Sequence, residues 1–188
     1  MEFDIYSRPT EGLMVKLKHV IRAVPPFSTP AVRLHPREEG KPSKTKEFDE
    51  VIHISRARSI VGEILVWFVE LQYSLGKRPD DYICEHGYTA VANAFASAAR
   101  AAGVGDRTLY ELRHGGASDD GGAGTPLAEI QKRGRWKTYS SVTRYSKSGL
   151  LQESRAQLSE HVLRFLLTCE ANLFHFISIQ TAPTLPGN

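Results

Sequence analysis

The sequence predicts a mainly α-helical domain with a small antiparallel β hairpin, an α+β fold. Two observations carry this. Apolar residues recur at three- and four-residue steps over several long stretches, with capping residues before them or glycines after them. Two short β-prone runs, 31–35 and 51–54, flank a polar connection rich in charge and bearing glycine and proline. The chain has 188 residues, 41% hydrophobic and 24% charged, the size and composition of one globular domain. Residues 1–180 are read as that domain, and 181–188 (TAPTLPGN) as a disordered tail.

Taken in order, residues 1–24 mix helix and strand periods, and Ser7 is expected to cap a helix opening at Pro9. Pro25, Pro26, Pro30 and Pro36 exclude helix from the next segment. A helix is predicted over 59–75, with Ile60, Ile64, Leu65, Phe68, Leu71 and Leu75 on its apolar face and Gly76 ending it. A second, alanine-rich helix spans 88–102 and stops at Gly103-Val104-Gly105. Thr108 is expected to cap the next. Gly115 and Gly116 weaken that helix locally, and backbone or ligand can approach closely there. Residues 119–122 (DDGG) read as a turn. Thr125 is expected to cap, and Pro126 to open, a helix through Lys132. Ser140 or Ser141 starts a short helix, and 151–179 is helical and unusually apolar for a terminal segment.

The formal net charge is only +3, so any basicity is local. Cys84 and Cys169 provide neither a disulfide framework nor zinc-ligand spacing. The first residues do not have the pattern of a secretory signal, and no apolar stretch reaches membrane-spanning length.

Residues with chemical potential concentrate between 108 and 147. Arg113 offers a planar fork of donors suited to two phosphate oxygens. Trp136 offers one indole N–H, and Tyr145 a phenol that can act as a nucleophile. Six cations (Lys132, Arg133, Arg135, Lys137, Arg144 and Lys147) face a single anion, Glu129, in the stretch 129–147. A basic strip beside a candidate nucleophile points to a polyanion, with double-stranded DNA the leading candidate.

This stretch resembles the C-terminal half of the tyrosine recombinase (phage integrase) catalytic domain. Trp136 lies 23 residues after Arg113, and Tyr145 a further 9, as in that family. Leu112-Arg113-His114 resembles its "LRH", Leu127 with Ile130-Gln131 its "L..IQ", and Thr143-Arg144-Tyr145 the setting of its nucleophile. Arg8-Pro9-Thr10-Glu11 resembles the setting of its first arginine, and Ser43-Lys44-Thr45 that of the lysine on its β hairpin. The proline-bearing "RP-x-E" and the "GRW" form are most similar to divergent recombinases of mobile elements.

The resemblance implies a tyrosine-recombinase catalytic-domain fold and DNA integration or recombination through a 3′-phosphotyrosyl intermediate, with no metal or cofactor. Tyr145 would be the nucleophile, Arg8 and Arg113 the cations on the phosphate and Lys44 the general acid, with Trp136 either a hydrogen-bond donor to a phosphate oxygen or a packing residue against the tyrosine's helix. Lys41 and Lys46 are neighbouring alternatives to Lys44. Tyr110 stands where the family has the histidine of His-x-x-Arg; it can donate to phosphate but is a poor general base near neutral pH. His114 is expected to be structural. The family's N-terminal DNA-gripping domain is expected to be missing, because Arg8 is only eight residues into the chain.

Three readings stand side by side: a recombinase catalytic domain, a catalytically silent DNA-binding remnant of a mobile-element recombinase, and a type IB topoisomerase-like enzyme. An intracellular location is implied, nuclear in a eukaryote and cytoplasmic in a bacterium or phage. For the C-terminal helix two readings stay open. It folds back on its own core, or its part around 165–177 packs on another subunit and makes a homo-oligomer.

Overall fold

The computed structural model of the chain describes residues 2–44, 46–54, 59–173 and 175. Two short helices, α1 (Glu2–Ile5) and α2 (Pro9–Leu13), lead into a three-stranded antiparallel sheet of β1 (Val20–Ile21), β2 (Ala31–Leu34) and β3 (Glu50–His53), with β2 in the middle. The longer helices α3 (Ser59–Ser74), α4 (Tyr88–Ala101) and α5 (Leu109–Gly122) follow. Then come α6 (Leu127–Gly134), α7 (Tyr139–Tyr145), α8 (Ser148–Ala156) and α9 (Glu160–Ala171). The expected α+β class is therefore observed, and the hairpin gains a third strand. Val20 and Ile21 pair with Val32 and Ala31. A two-residue strand carries too little alternation to stand out from the apolar run around it.

Two cores hold the chain together. One joins sheet and α3: Val32 and Ile52 face each other across β2 and β3 and pack with Ile5, Val15, Leu34, Ile54 and Leu65. In β3, Ile52 points in while Val51 and His53 point out, the alternation of a half-covered sheet. The other core joins Tyr6, Ala117, Ile130 and Val142, with Trp136 and Leu127 against it. It lies beneath the residues singled out from the sequence.

The glycine pair in α5 is explained by α1. A Cβ on Gly116 would come within 3.0 Å of the Phe3 carbonyl oxygen, so only glycine lets the α1 backbone lie against α5. The close approach expected there is made by the chain's own backbone.

Several local expectations are corrected. Residues 119–122 are not a turn but the last turn of α5. Gly121 and Gly122 cost about 1 kcal/mol each of helix propensity, but tertiary contacts hold the helix. Asp120 is buried and accepts from the Tyr6 hydroxyl, and Arg133 reaches it at 3.4 Å. The helix ends instead where Gly124 adopts φ +87° and Thr125 N–H bonds back to the Asp120 carbonyl, 2.9 Å. Ser7 does not cap α2; its hydroxyl is buried and has no partner among the described residues, and Glu11 instead accepts from the Arg8 N–H at 2.7 Å. Thr125 does not cap α6, whose flanking residue is Pro126. Thr108 stands at the N-cap of α5 without a side-chain bond. Thr138, not Ser140 or Ser141, caps α7.

The segment 151–179 is two helices in its described part, not one, because Ser159 caps α9 through the Val162 N–H at 3.3 Å. Val162 packs toward Gly103, while Phe165 is 49% and Leu167 58% exposed. Phe174, Phe176 and Ile177 lie outside the described residues. Among the described residues, no helix is long and apolar enough to cross a membrane.

Candidate active site

The site is built where α5, the α6–α7 corner and the turn before α2 meet. α5 presents Tyr110, Arg113 and His114 within one turn of each other. α7 ends on Tyr145, and its end is fixed to α5 by side chains. Ser118 Oγ donates to the Tyr145 carbonyl at 3.2 Å and accepts from Lys147 N–H at 2.8 Å, and Ser146 Oγ donates to the Ala117 carbonyl at 3.2 Å. These bonds place the tyrosine over α5.

Trp136 is the centre of an aromatic stack. Its ring lies 5.1 Å from that of Tyr145 with only 7° between planes, and 5.9 Å from that of Tyr6. Gly134 makes room for it, since a Cβ there would collide with the indole. Tyr145 also meets His114, ring centroids 4.4 Å apart, and its hydroxyl is 3.3 Å from that of Tyr110. An open groove of about 380 Å³ lies beside the two tyrosines, lined also by Arg107, His114 and Lys147.

Arg113 lies under the indole, its guanidinium 5.0 Å from the ring, and is only 1% exposed. Its Nη1 donates to the Tyr6 carbonyl and its Nη2 to the Gly134 carbonyl at 2.6 Å. The fork therefore ties α5 to the turn after α1 and to the end of α6. Burial, with the charges of Arg135 and Arg8 nearby, pulls its pKa down to about 10, still cationic at neutral pH. Burial and then Arg113 also lower His114, which favours neutral imidazole. The bond to Tyr145 and then burial raise Tyr110, so its phenol stays protonated.

Arg8 sits at the start of α2, partly exposed, and is held by Glu11. That carboxylate is a hub. It accepts from the Arg8 side chain and main chain, meets His35 Nε2 at 3.3 Å, and pairs with Arg135 Nη2 at 2.7 Å. Burial acts to raise the Glu11 pKa, but Arg135, Arg8 and His35 outweigh it and hold it below the ordinary carboxylate range.

Of the residues singled out from the sequence, the structure gathers Arg8, Tyr110, Arg113, Trp136 and Tyr145 into one neighbourhood. Lys44 is not among them. It is exposed in the long connection between β2 and β3, and among the described residues it makes no hydrogen bond or ion pair with that group. The connection does reach the site through His35, whose Nδ1 meets the Lys41 carbonyl at 3.2 Å. Among the basic strip, Lys132, Lys137, Arg144 and Lys147 are exposed. Arg133 turns to Asp120, and Arg135 turns inward to Glu11 and Glu50. Tyr6, Glu11, His35 and Asp120 were not singled out. Glu11 had a signal, a glutamate three residues after the helix start; the others meet partners distant in sequence. Among the described residues no group of three or more His, Cys, Asp or Glu is placed to hold a metal.

The fold has a known counterpart. The chain superposes on the crystal structure of XerA recombinase with a TM-score of 0.54, over 95% of this chain, at 16% identity. It spans about half of that structure, 54% of its length. No protein-family model matches the sequence, and no curated protein matches it. At this identity the likeness is one of fold, and it bears out the recombinase-like catalytic-domain architecture expected from the sequence.

Proposed function

We propose that the chain is a DNA strand-transfer domain of the tyrosine recombinase type. The observation that carries this reading is the grouping of Tyr145 with Trp136, Arg113 and Arg8 in a recombinase-like fold. In the reaction, the Tyr145 oxygen attacks a phosphorus of duplex DNA and its phenolic proton passes to solvent. The bond from phosphorus to the 5′-oxygen breaks, and that oxygen takes a proton from Lys44, brought in by the connection between β2 and β3. Arg8 and Arg113 offset the charge that grows on the non-bridging oxygens, each such donor being worth about 3–4 kcal/mol of barrier. Tyr110 donates to the phosphate. The 3′-phosphotyrosyl link conserves the bond energy, so attack by a 5′-hydroxyl rejoins a strand without ATP. The DNA backbone enters along the groove lined by Tyr110, Tyr145 and Lys147, with the exposed Lys132, Lys137 and Arg144 as further phosphate contacts.

A second reading, a silent DNA-binding remnant, is favoured by one observation: both Arg113 Nη groups are bonded to main-chain carbonyls. One experiment separates the two. Incubated with a nicked suicide duplex, the wild-type chain forms a covalent adduct on a denaturing gel and Tyr145→Phe forms none. DNA binding without any adduct decides for the remnant.

A further inference from the structure

Arg135 stands out among the six cations of the basic strip. Its side chain is only 10% exposed, against open positions for Lys132, Lys137, Arg144 and Lys147. Its backbone is left-handed, φ +55°, at the end of α6, where glycine would be at ease and arginine is not. Its side chain runs back across the site. Nη2 is 2.7 Å from Glu11 Oε2, Nε is 3.7 Å from Glu50 Oε2, and Nη1 is buried with no partner among the described residues. A residue in that conformation, with that burial, is held by what its guanidinium touches.

Glu11 is what the guanidinium touches, and Glu11 also holds Arg8 by both side chain and main chain. We infer that Arg135 is a positioning residue, which fixes Glu11 and through it the Arg8 guanidinium, and ties both to the corner that carries Trp136. This rests on the proposed strand-transfer reading. The charges support it. Three guanidinium groups, Arg8, Arg113 and Arg135, share the cluster with two carboxylates, Glu11 and Glu50, and with His35. Burial pushes the Glu50 carboxyl up from its ordinary value, and the Arg135 guanidinium beside it acts the other way. Without Arg135, Glu11 Oε2 keeps only the Arg8 N–H among the described residues, and the ion-pair link from Glu11 to the α6–α7 corner is lost.

The test is Arg135→Gly, which keeps the left-handed backbone free of strain, with Arg135→Lys beside it. Single-turnover adduct formation on the suicide duplex is measured at saturating DNA, together with affinity for the uncleaved duplex. The adduct rate is expected to fall about 10- to 100-fold, the loss that a misplacement of about 1 Å in a working group can bring. Affinity stays within about twofold, since the exposed cations carry it. Arg135→Lys recovers part of the rate, because a point charge reaches one carboxylate oxygen but not two groups at once. An unchanged rate in the glycine variant overturns the inference, as does a loss confined to affinity and its salt dependence, which would make Arg135 a DNA contact. Should the glycine variant fail to fold, Arg135→Lys and Glu50→Gln carry the same comparison.

A readout independent of cleavage is the pH titration of the Glu11 carboxyl carbon resonance. The groups that face Glu11 are Arg8, Arg135 and His35, with Glu50 behind Arg135. Its midpoint is expected to rise in Arg135→Gly, and an unmoved midpoint overturns the clamp. A wild-type chain that forms no adduct overturns the strand-transfer reading instead, and the titration then still decides whether Arg135 holds Glu11.

Discussion

Replacing Gly116 by alanine tests the seam on which the site is hung. α1 crosses α5 at this residue, and the added Cβ would lie within 3.0 Å of both the Phe3 carbonyl oxygen and the Tyr6 ring. Main-chain atoms cannot swing aside as a side chain can, so α1 must move bodily. Overpacking of this kind costs about 1–3 kcal/mol, occasionally more. Movement of α1 also loosens Ile5 and Tyr6, both fully buried, each worth about 1.5–3 kcal/mol if wholly exposed. Alanine returns about 1 kcal/mol of helix propensity. A net loss of about 2–3 kcal/mol is expected, or a drop in Tm of about 4–12 °C for a domain of this size. Gly122→Ala, in the same helix, is the control. Its Cβ would meet only the Ser148 Cβ at 3.6 Å, an ordinary contact, so a gain of up to about 1 kcal/mol is expected. Paired denaturant melts of the two variants decide the matter. Gly116→Ala at or above wild-type stability would refute the reasoning. A displaced Tyr6 also removes the carbonyl that holds Arg113, so the same variant should lose more adduct formation than its melting curve explains.

Duplex binding should be salt-dependent, but less steeply than six cations imply. Arg133 and Arg135 are engaged internally, and four neutralised phosphates give a slope of log K against log salt near about −3.6, against about −5.4 for six; a titration at several salt concentrations that returns the steeper value would contradict the inward placement. Glu11 titrates below its ordinary range in the folded chain, because Arg135, Arg8 and His35 overcome the burial that would raise it. Its contribution to stability is thus fully present above about pH 4.3 and lost as pH falls through its folded value; Glu11→Gln should flatten the acid limb of a stability–pH curve, and an unchanged limb would argue against the hub. If α9 makes a subunit contact, Phe165→Glu with Leu167→Glu should lower the mass seen by light scattering at about ten micromolar, in the affinity range of a modest interface; a wild-type chain already monomeric there excludes self-association through this face.

The helices were legible because their apolar steps are long and regular; α3 and α4 lie within a residue or two of where the periodicity puts them. The end of α5 was not. Asp119-Asp120-Gly121-Gly122 has the composition of a turn, and only the Tyr6 hydroxyl and Arg133 on Asp120 make it helix. Those partners come from 114 residues upstream and from the next helix, beyond the reach of any local pattern. Arg8, Arg113, Trp136 and Tyr145 were picked out through a resemblance to a family's motif spacing and not through any physical pattern in the chain, and no local periodicity says that the four meet. Nor was the direction of a cation legible. A run of lysines and arginines reads as one strip, but charge alone does not say which members face solvent. Arg135 differs from its neighbours only by following Gly134 at a helix end, and its inward turn depends on Glu11, 124 residues away.

The aromatic stack bears on how a strand-transfer site could work. As it stands, Trp136 lies over Arg113, and Tyr145 is stacked on Trp136 with its hydroxyl toward Tyr110. A phosphodiester that is to touch both the Tyr145 oxygen and the Arg113 fork must part the indole from one of them. A stacked aromatic pair is worth about 0.5–1.5 kcal/mol, and a neutral hydrogen bond such as Tyr110 to Tyr145 about 1 kcal/mol. Opening therefore costs about 2 kcal/mol, which leaves the open arrangement about one-thirtieth populated and weakens apparent affinity for the reacting phosphate by the same factor. The exposed cations can return that energy from neighbouring phosphates, because their contacts do not require the stack to open. On this account binding of duplex and engagement of the scissile phosphate are separate steps. A substitution that weakens the stack while keeping an aromatic ring, such as Trp136→Phe, should then raise engagement while leaving overall duplex affinity where it was; an adduct rate at saturating DNA that falls in Trp136→Phe would show instead that the indole N–H serves the phosphate directly.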